Sequence, residues 1–217
     1  MPSKKEIAYF RERMIAWYMG NGRKFPWRNR SIPLYQKIVS EVLLQRTRAE
    51  TVANFFPAFI CRFPSWKALA TTPESEIALF IRPIGLWQRR APVLSSLAKE
   101  MARRNGRFPR DRQEIEALPG VGQYIANAIQ LFCHGTPMPL LDVNMARVLE
   151  RYFGPRKLAD IRDDSYLQSL SSCVVNCSKP QEMNWAILDF SAKICKPTNP
   201  IHEECPVRSS CYYHKNL

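Results

Sequence analysis

Hydrophobic residues recur at helical spacing along nearly the whole chain, and that periodicity decides its fold class. Ile7, Phe10, Met14, Trp17 and Tyr18 mark one face of a first helix that ends at Gly20-Asn21-Gly22. The spacing predicts further helices over residues 34–46 and 49–61. Thr72-Pro73-Glu74 combines an N-cap type, a first-turn proline and an early acid, which predicts a helix start at Thr72. Gly85 interrupts the next pattern, and residues 89–104 resume it. Asp111 is placed to cap a short helix stopping at Pro119-Gly120, and later helices are expected over 123–133, 143–153, 164–176 and 181–194. No alternating pattern of strand length occurs, so the fold is expected to be all-α. Neither an internal repeat nor a low-complexity tract is visible.

A length of 217 residues suffices for one large domain or two lobes with their own cores. With 32 Lys and Arg against 19 Asp and Glu, the net charge is +13. Such an excess favours a polyanionic partner, because cationic side chains release counterions condensed on phosphates. A basic solvated surface would carry the same charge, so motifs must decide. No stretch is apolar and long enough to span a membrane, and Met1 to Glu6 enters the first helix without a signal-type apolar core. A cytoplasmic location is the expectation. Of seven cysteines, Cys195, Cys205 and Cys211 crowd the end of the chain, while Cys61, Cys133, Cys173 and Cys177 fall in helical patterns. In a reducing compartment, clustered cysteines more often bind metal than pair as disulfides.

Leu118-Pro119-Gly120-Val121-Gly122 joins two short predicted helices. Two glycines this close permit positive φ and let backbone approach a ligand. The helix that follows begins with N–H groups suited to a phosphate oxygen. A lone Gly-x-Gly would be an ordinary turn; this string between two helices resembles the helix-hairpin-helix element of DNA repair proteins, which grips backbone without reading sequence.

Three further segments extend the resemblance. Ser40-Glu41-Val42-Leu43-Leu44-Gln45-Arg46-Thr47, Leu141-Asp142-Val143-Asn144 with Arg147-Val148-Leu149, and residues 184–195 occur in the order found in the helix-hairpin-helix glycosylases of the endonuclease III/MutY superfamily. The chain is identified as resembling that superfamily from about Phe25 to Cys211. Within it, Ser75 to Ala78, Ile84-Gly85-Leu86 with Arg90-Ala91, and Asp189 to Ala192 are similar to the thymine (G·T mismatch) branch. The resemblance implies double-stranded DNA containing a mismatch as partner, base excision repair as the process, and a monomer acting at the nucleoid.

It also implies roles for single residues. Breaking an N-glycosidic bond develops positive charge on the sugar and negative charge on the base. Asp142, at a predicted helix start, matches the catalytic aspartate and is also suited to capping the helix. Glu41 would enter the base pocket, donating a proton or ordering water; a Glu on a helix is more commonly just solvated, but Val39, Val42, Leu43 and Leu44 leave it little polar face. Where the endonuclease III branch carries a Schiff-base lysine, this chain has Tyr124, so a monofunctional enzyme without a lyase step is expected. Tyr124 could also stack on an extruded base, or merely pack in the core. Gln45 and Arg46 would fill the gap left by the flipped base, with Leu86 wedging from the other side. Leu118, Gly120, Val121 and Gly122 would hold the DNA backbone. Ala49 matches the thymine branch. Trp185 departs from both the adenine and the thymine branch, and can narrow the pocket, stack on the base or turn into the core.

The superfamily's cluster pattern is C-x6-C-x2-C-x5-C, and this chain reads Cys195-x6-His202-x2-Cys205-x5-Cys211. The resemblance implies a [4Fe–4S] cluster with three thiolates and one imidazole. The same donor set suits structural zinc, and loss of the cluster is a third possibility. Lys193, Lys196 and Arg208 would let this loop meet phosphate.

The expected architecture is a two-lobed helix-hairpin-helix glycosylase fold with a C-terminal iron–sulfur cluster loop at 195–211. One lobe spans 24–133 with the hairpin; the other combines 1–23 with 134–217, and the DNA cleft lies between them. The rival enzyme is an adenine glycosylase acting on A·G or A·8-oxoguanine, disfavoured by Ala49, Tyr124 and Trp185. The rival outside enzymes is a non-catalytic DNA-binding module, which would not need Glu41 and Asp142.

Overall fold

The structure is a computed structural model describing residues 1–217. It is all-helical, with α1 Lys4–Asn21, α2 Leu34–Leu44, α3 Ala49–Arg62, α4 Trp66–Thr71, α5 Glu74–Ile81, α6 Trp87–Arg103, α7 Arg112–Glu116, α8 Gln123–His134, α9 Val143–Phe153, α10 Ser165–Val175, α11 Pro180–Lys193 and α12 Tyr212–Lys215. None of these helices is long and apolar enough to cross a membrane. The chain divides into two compact units, Lys24–His134 and the combination of Met1–Arg23 with Gly135–Leu217.

The Lys24–His134 unit is built around α2. Ile38, Val39, Val42 and Leu43 are all essentially inaccessible, so apolar groups surround this helix on most sides. A helix buried so thoroughly also encloses whatever polar residue it carries, which is why Glu41 is only 3% exposed. Phe55, Phe59, Phe63 and Phe80 pack ring against ring beside it. Tyr35 Oη donates to the Phe63 carbonyl at 2.6 Å, satisfying the end of α3.

In the other unit, α1 starts at a capping box. Ser3 Oγ accepts from the Glu6 N–H, and the Glu6 carboxylate accepts from the Ser3 N–H at 2.7 Å. Ile7, Phe10 and Met14 face a core shared with α9, α10 and α11, with Phe10 against Tyr152 and Phe153. Arg11 closes the C-terminal end of α10 by donating to the carbonyls of Cys173, Val174 and Asn176, a cation where the helix dipole favours one. Arg23 is held to the fully buried Asp189 carboxylate at 2.6 Å.

Four local expectations are corrected. α2 stops at Leu44 rather than residue 46, because Arg46 takes φ 55° and cannot continue a helix. α4 was not expected; only Trp66 and Leu69 mark its buried face, too few for a period. Thr72 does not cap α5: its hydroxyl donates to Ala68 O at 2.9 Å, back into α4, and Pro73 takes the cap position. Cys177 lies beyond α10. Asp111 does cap α7, accepting from the Glu114 N–H at 3.0 Å.

Candidate active site

In the Lys24–His134 unit, Glu41 and Tyr124 come together although 83 residues separate them. Tyr124 Oη donates to Glu41 Oε2 at 3.0 Å, from the first turn of α8 to the middle of α2. The phenol orients a carboxylate that burial would otherwise penalise. Ala49, at the start of α3, is half-buried and packs on the same unit's core.

The hairpin between α7 and α8 anchors its two apolar residues and spares its glycines. Leu118 and Val121 are buried in the core. Gly120 has φ +71°, and a Cβ there would lie 2.3 Å from Val93 Cγ1. Only glycine meets both conditions. Gly122 is different, since a Cβ would meet nothing within 4 Å. Neither internal packing nor a left-handed backbone requires a glycine there. Two further loops of this unit carry exposed residues: Gln45 and Arg46 are exposed after α2, and Leu86 is 43% exposed before α6. Arg46 and Leu86 both have φ 55°, an uncommon state for residues with a Cβ.

In the other unit Asp142 is the N-cap of α9. Its Oδ1 accepts from the N–H groups of Asn144 and Met145 at 2.9 and 2.8 Å, and its Oδ2 accepts from Asn144 Nδ2 at 2.7 Å. Three donors and the helix N-terminus therefore fix the carboxylate's orientation. The fixing continues outward: Arg147 Nη1 donates to Asn144 Oδ1 at 3.2 Å, while its Nε donates to Cys195 O at 3.0 Å and its Nη2 to Ser191 O at 3.2 Å. On the chain leading into Asp142, the fully buried Asn184 accepts from Leu140 N at 2.6 Å and donates to Met138 O at 3.1 Å. Trp185, next along α11, is 8% exposed and lies outside the unit's apolar cluster.

Cys195, Cys205, Cys211 and His202 are all half-buried around the segment after α11. Burial pushes the Cys205 thiol up, and Cys211 and Cys195 raise it further. Arg151 Nη1 donates to Cys195 Sγ at 3.5 Å, and Cys211 Sγ donates to Arg151 O at 3.1 Å. The His202 ring stands 5.0 Å from that of His214. No three His, Cys, Asp or Glu side chains converge closely enough to hold a single metal ion. Of the loop cations, Lys193 is tied back to Asn21 O at 2.6 Å.

Sequence reasoning missed the support of these groups. Asn144 and Arg147 were visible only as neighbours of Asp142, and His214 carried no signal. Arg90, noticed only within a motif, is buried at 5% exposure, which no charge pattern announces.

Comparison with known proteins matches this geometry to a family. The profile of the HhH-GPD superfamily of base excision DNA repair proteins matches residues 39–170. Thymine-DNA glycosylase of Aeropyrum pernix is 38% identical over 98% of this chain and 97% of its own. Thymine/uracil-DNA glycosylase of Pyrobaculum aerophilum is 35% identical over 99% and 96%. Among solved structures, that of a thermostable thymine-DNA glycosylase superposes with a TM-score of 0.89 at 32% identity, covering 98% of each chain. With hairpin, buried Glu41–Tyr124 pair and capped Asp142 in place, the chain belongs to the HhH-GPD superfamily of base excision DNA repair proteins.

Proposed function

We propose that the protein is a monofunctional DNA glycosylase that hydrolyses the N-glycosidic bond of thymine or uracil mispaired with guanine. It acts as a monomer on double-stranded DNA at the nucleoid. Relatives named thymine-DNA and thymine/uracil-DNA glycosylases, similar from end to end, support the substrate. The observation that carries the mechanism is the 3.0 Å bond from Tyr124 Oη to the buried Glu41. Tyr124 stands at the sequence position where the endonuclease III branch carries its lysine, and a phenol cannot form an imine with C1′, which supports a reaction without a lyase step.

As the C1′–N bond lengthens, the sugar gains positive charge and the base keeps the bonding electrons. Asp142 is the group for the sugar side: three donors and the N-terminus of α9 hold its carboxylate oriented. Glu41 serves the base side. Glu41 gives a proton to the departing base, and the water that adds its oxygen to C1′ returns one to Glu41, so the products are free base and an abasic site. Gln45, Arg46 and Leu86 fill the vacated stack, and Leu118 to Gly122 hold the phosphates. Ala49, on the Glu41 unit, is a residue by which the base would be selected.

Cys195, His202, Cys205 and Cys211 are the residues that would hold a [4Fe–4S] cluster. The donor chemistry fits. Three thiols and an imidazole at the superfamily's spacing suit an extended cluster, whereas a zinc ion needs its ligands converging on one point at about 2.3 Å from sulfur, and no three donors converge so. When bound, the cluster cross-links the loop, and an imidazole ligand raises its reduction potential above that of an all-thiolate set.

The test is a panel of G·T, G·U, A·G and A·8-oxoguanine duplexes, assayed for base release with and without alkali. Release from G·T and G·U, with strand cleavage only after alkali, is expected. Release confined to adenine, or a borohydride-trapped protein–DNA adduct, would overturn the proposal.

A further inference from the structure

Arg46 and Leu86 sit on separate loops, one after α2 and one before α6, yet both hold the same left-handed backbone with φ 55°. Residues with a Cβ stay in that region only where their surroundings enforce it. The Arg90 side chain bonds to both loops. Arg90, in the first turn of α6, donates through Nη1 to Gly85 O at 2.7 Å and to Ile84 O at 3.5 Å. Through Nη2 it donates to Gln45 O at 2.9 Å and to Thr47 Oγ1 at 2.9 Å. The Thr47 hydroxyl in turn reaches Ile84 O at 3.4 Å.

The two strongest backbone acceptors, Gln45 O and Gly85 O, belong to the peptide groups immediately before Arg46 and Leu86. Pinning a carbonyl fixes its peptide plane, and that plane is one of the two that define φ of the next residue. Arg90 therefore acts on both left-handed residues at the same point. Its guanidinium is nearly inaccessible and meets carbonyls and a hydroxyl rather than a carboxylate. Burying such a cation is costly for an ordinary surface turn. A planar fork presents separate donors to the two loops in a fixed geometry, whereas a lysine's donors all rotate about one nitrogen.

We propose that Arg90 is a positioning residue that locks the two loops into one rigid wedge, so that Arg46 and Leu86 enter the duplex together. The inference rests on the reading of Gln45, Arg46 and Leu86 as the residues that fill the vacated stack. It assigns Arg90 no contact with DNA.

The test uses Arg90→Lys, which keeps the charge and loses the fork, and Thr47→Val, which keeps the shape and removes one acceptor. Three quantities are measured at a temperature where each variant is folded. These are fluorescence of 2-aminopurine placed beside the thymine of a G·T mismatch, single-turnover thymine release, and affinity for a fully matched duplex. Arg90→Lys is expected to reduce both the unstacking signal and the release rate by about 10-fold or more, with matched-duplex affinity held within about 2-fold, as loss of a charge-assisted hydrogen bond at the wedge alone would do. Thr47→Val should move the same two quantities in the same direction by less, and it decides the matter if Arg90→Lys does not fold. A parallel loss of all three, or no change in unstacking, overturns the proposal. Should the wild-type protein release neither thymine nor uracil, the function proposed above fails, and the unstacking signal still decides for or against Arg90.

Discussion

Gly120→Ala and Gly122→Ala, two residues apart in one hairpin, should fail in different ways. At Gly120 an added methyl meets two costs. Left-handed backbone with a Cβ costs about 1–2 kcal/mol. The methyl would also stand 2.3 Å from Val93 Cγ1, with Val93 Cγ2 and Cβ at 3.1 and 3.2 Å. Val93 is β-branched and helical, so it has essentially one rotamer and cannot swing aside. Overpacking of this kind costs about 1–3 kcal/mol, and the sum for Gly120→Ala is about 2–5 kcal/mol. Equilibrium urea unfolding should therefore show a clear loss. A Val93→Ala background should restore the packing part and leave the backbone part, giving a coupling of about 1–3 kcal/mol in a double-mutant cycle. Gly122→Ala meets nothing, so its stability should stay within about 0.5 kcal/mol of wild type. On the proposed reading, in which the hairpin holds phosphate, its affinity for duplex DNA should fall. Gly120→Ala within about 0.5 kcal/mol of wild type, or additivity with Val93→Ala, would refute the packing argument. Unchanged DNA affinity in Gly122→Ala would refute the assignment of the hairpin to phosphate.

Asp142→Asn should abolish base release while mismatch binding persists, and stability should change by less than about 1 kcal/mol because Asn caps nearly as well as Asp; unchanged turnover would remove the catalytic assignment. Asp164 caps α10 and also accepts from the N–H groups of Lys157 and Leu158, and these bonds, led by that of Leu167, hold its carboxyl below the usual aspartate range. A depressed folded pKa contributes stability that is present above the unfolded value and lost as pH falls through the folded one. Stability of wild type should thus fall below about pH 4, and Asp164→Asn should flatten that part of the profile. Purified protein should be brown with about four iron atoms per chain, and His202→Ala should lower iron content and loop order before it alters chemistry at the base; a colourless protein with stoichiometric zinc would sink the cluster assignment.

Much of this protein was legible in one dimension because the features concerned are local. Helical periodicity, the turn at Gly120 and the cap at Asp142 each depend on residues a few positions apart. Where a feature involved competition between neighbours, local reading faltered: Thr72 had two helices to serve, and its hydroxyl went back to Ala68 O. Where it depended on residues far apart, sequence was silent. The apolar neighbours of Glu41 in α2 point to its enclosure, but nothing in α2 or α8 taken alone says that it is bonded to Tyr124, and nothing in a chain with 32 Lys and Arg says that Arg90 is the one buried against two loops. Hydrophobic periodicity is set by which face of a helix avoids water, and that is written residue by residue. The partner of a buried polar group is set by which helices pack together, and only the tertiary structure decides that.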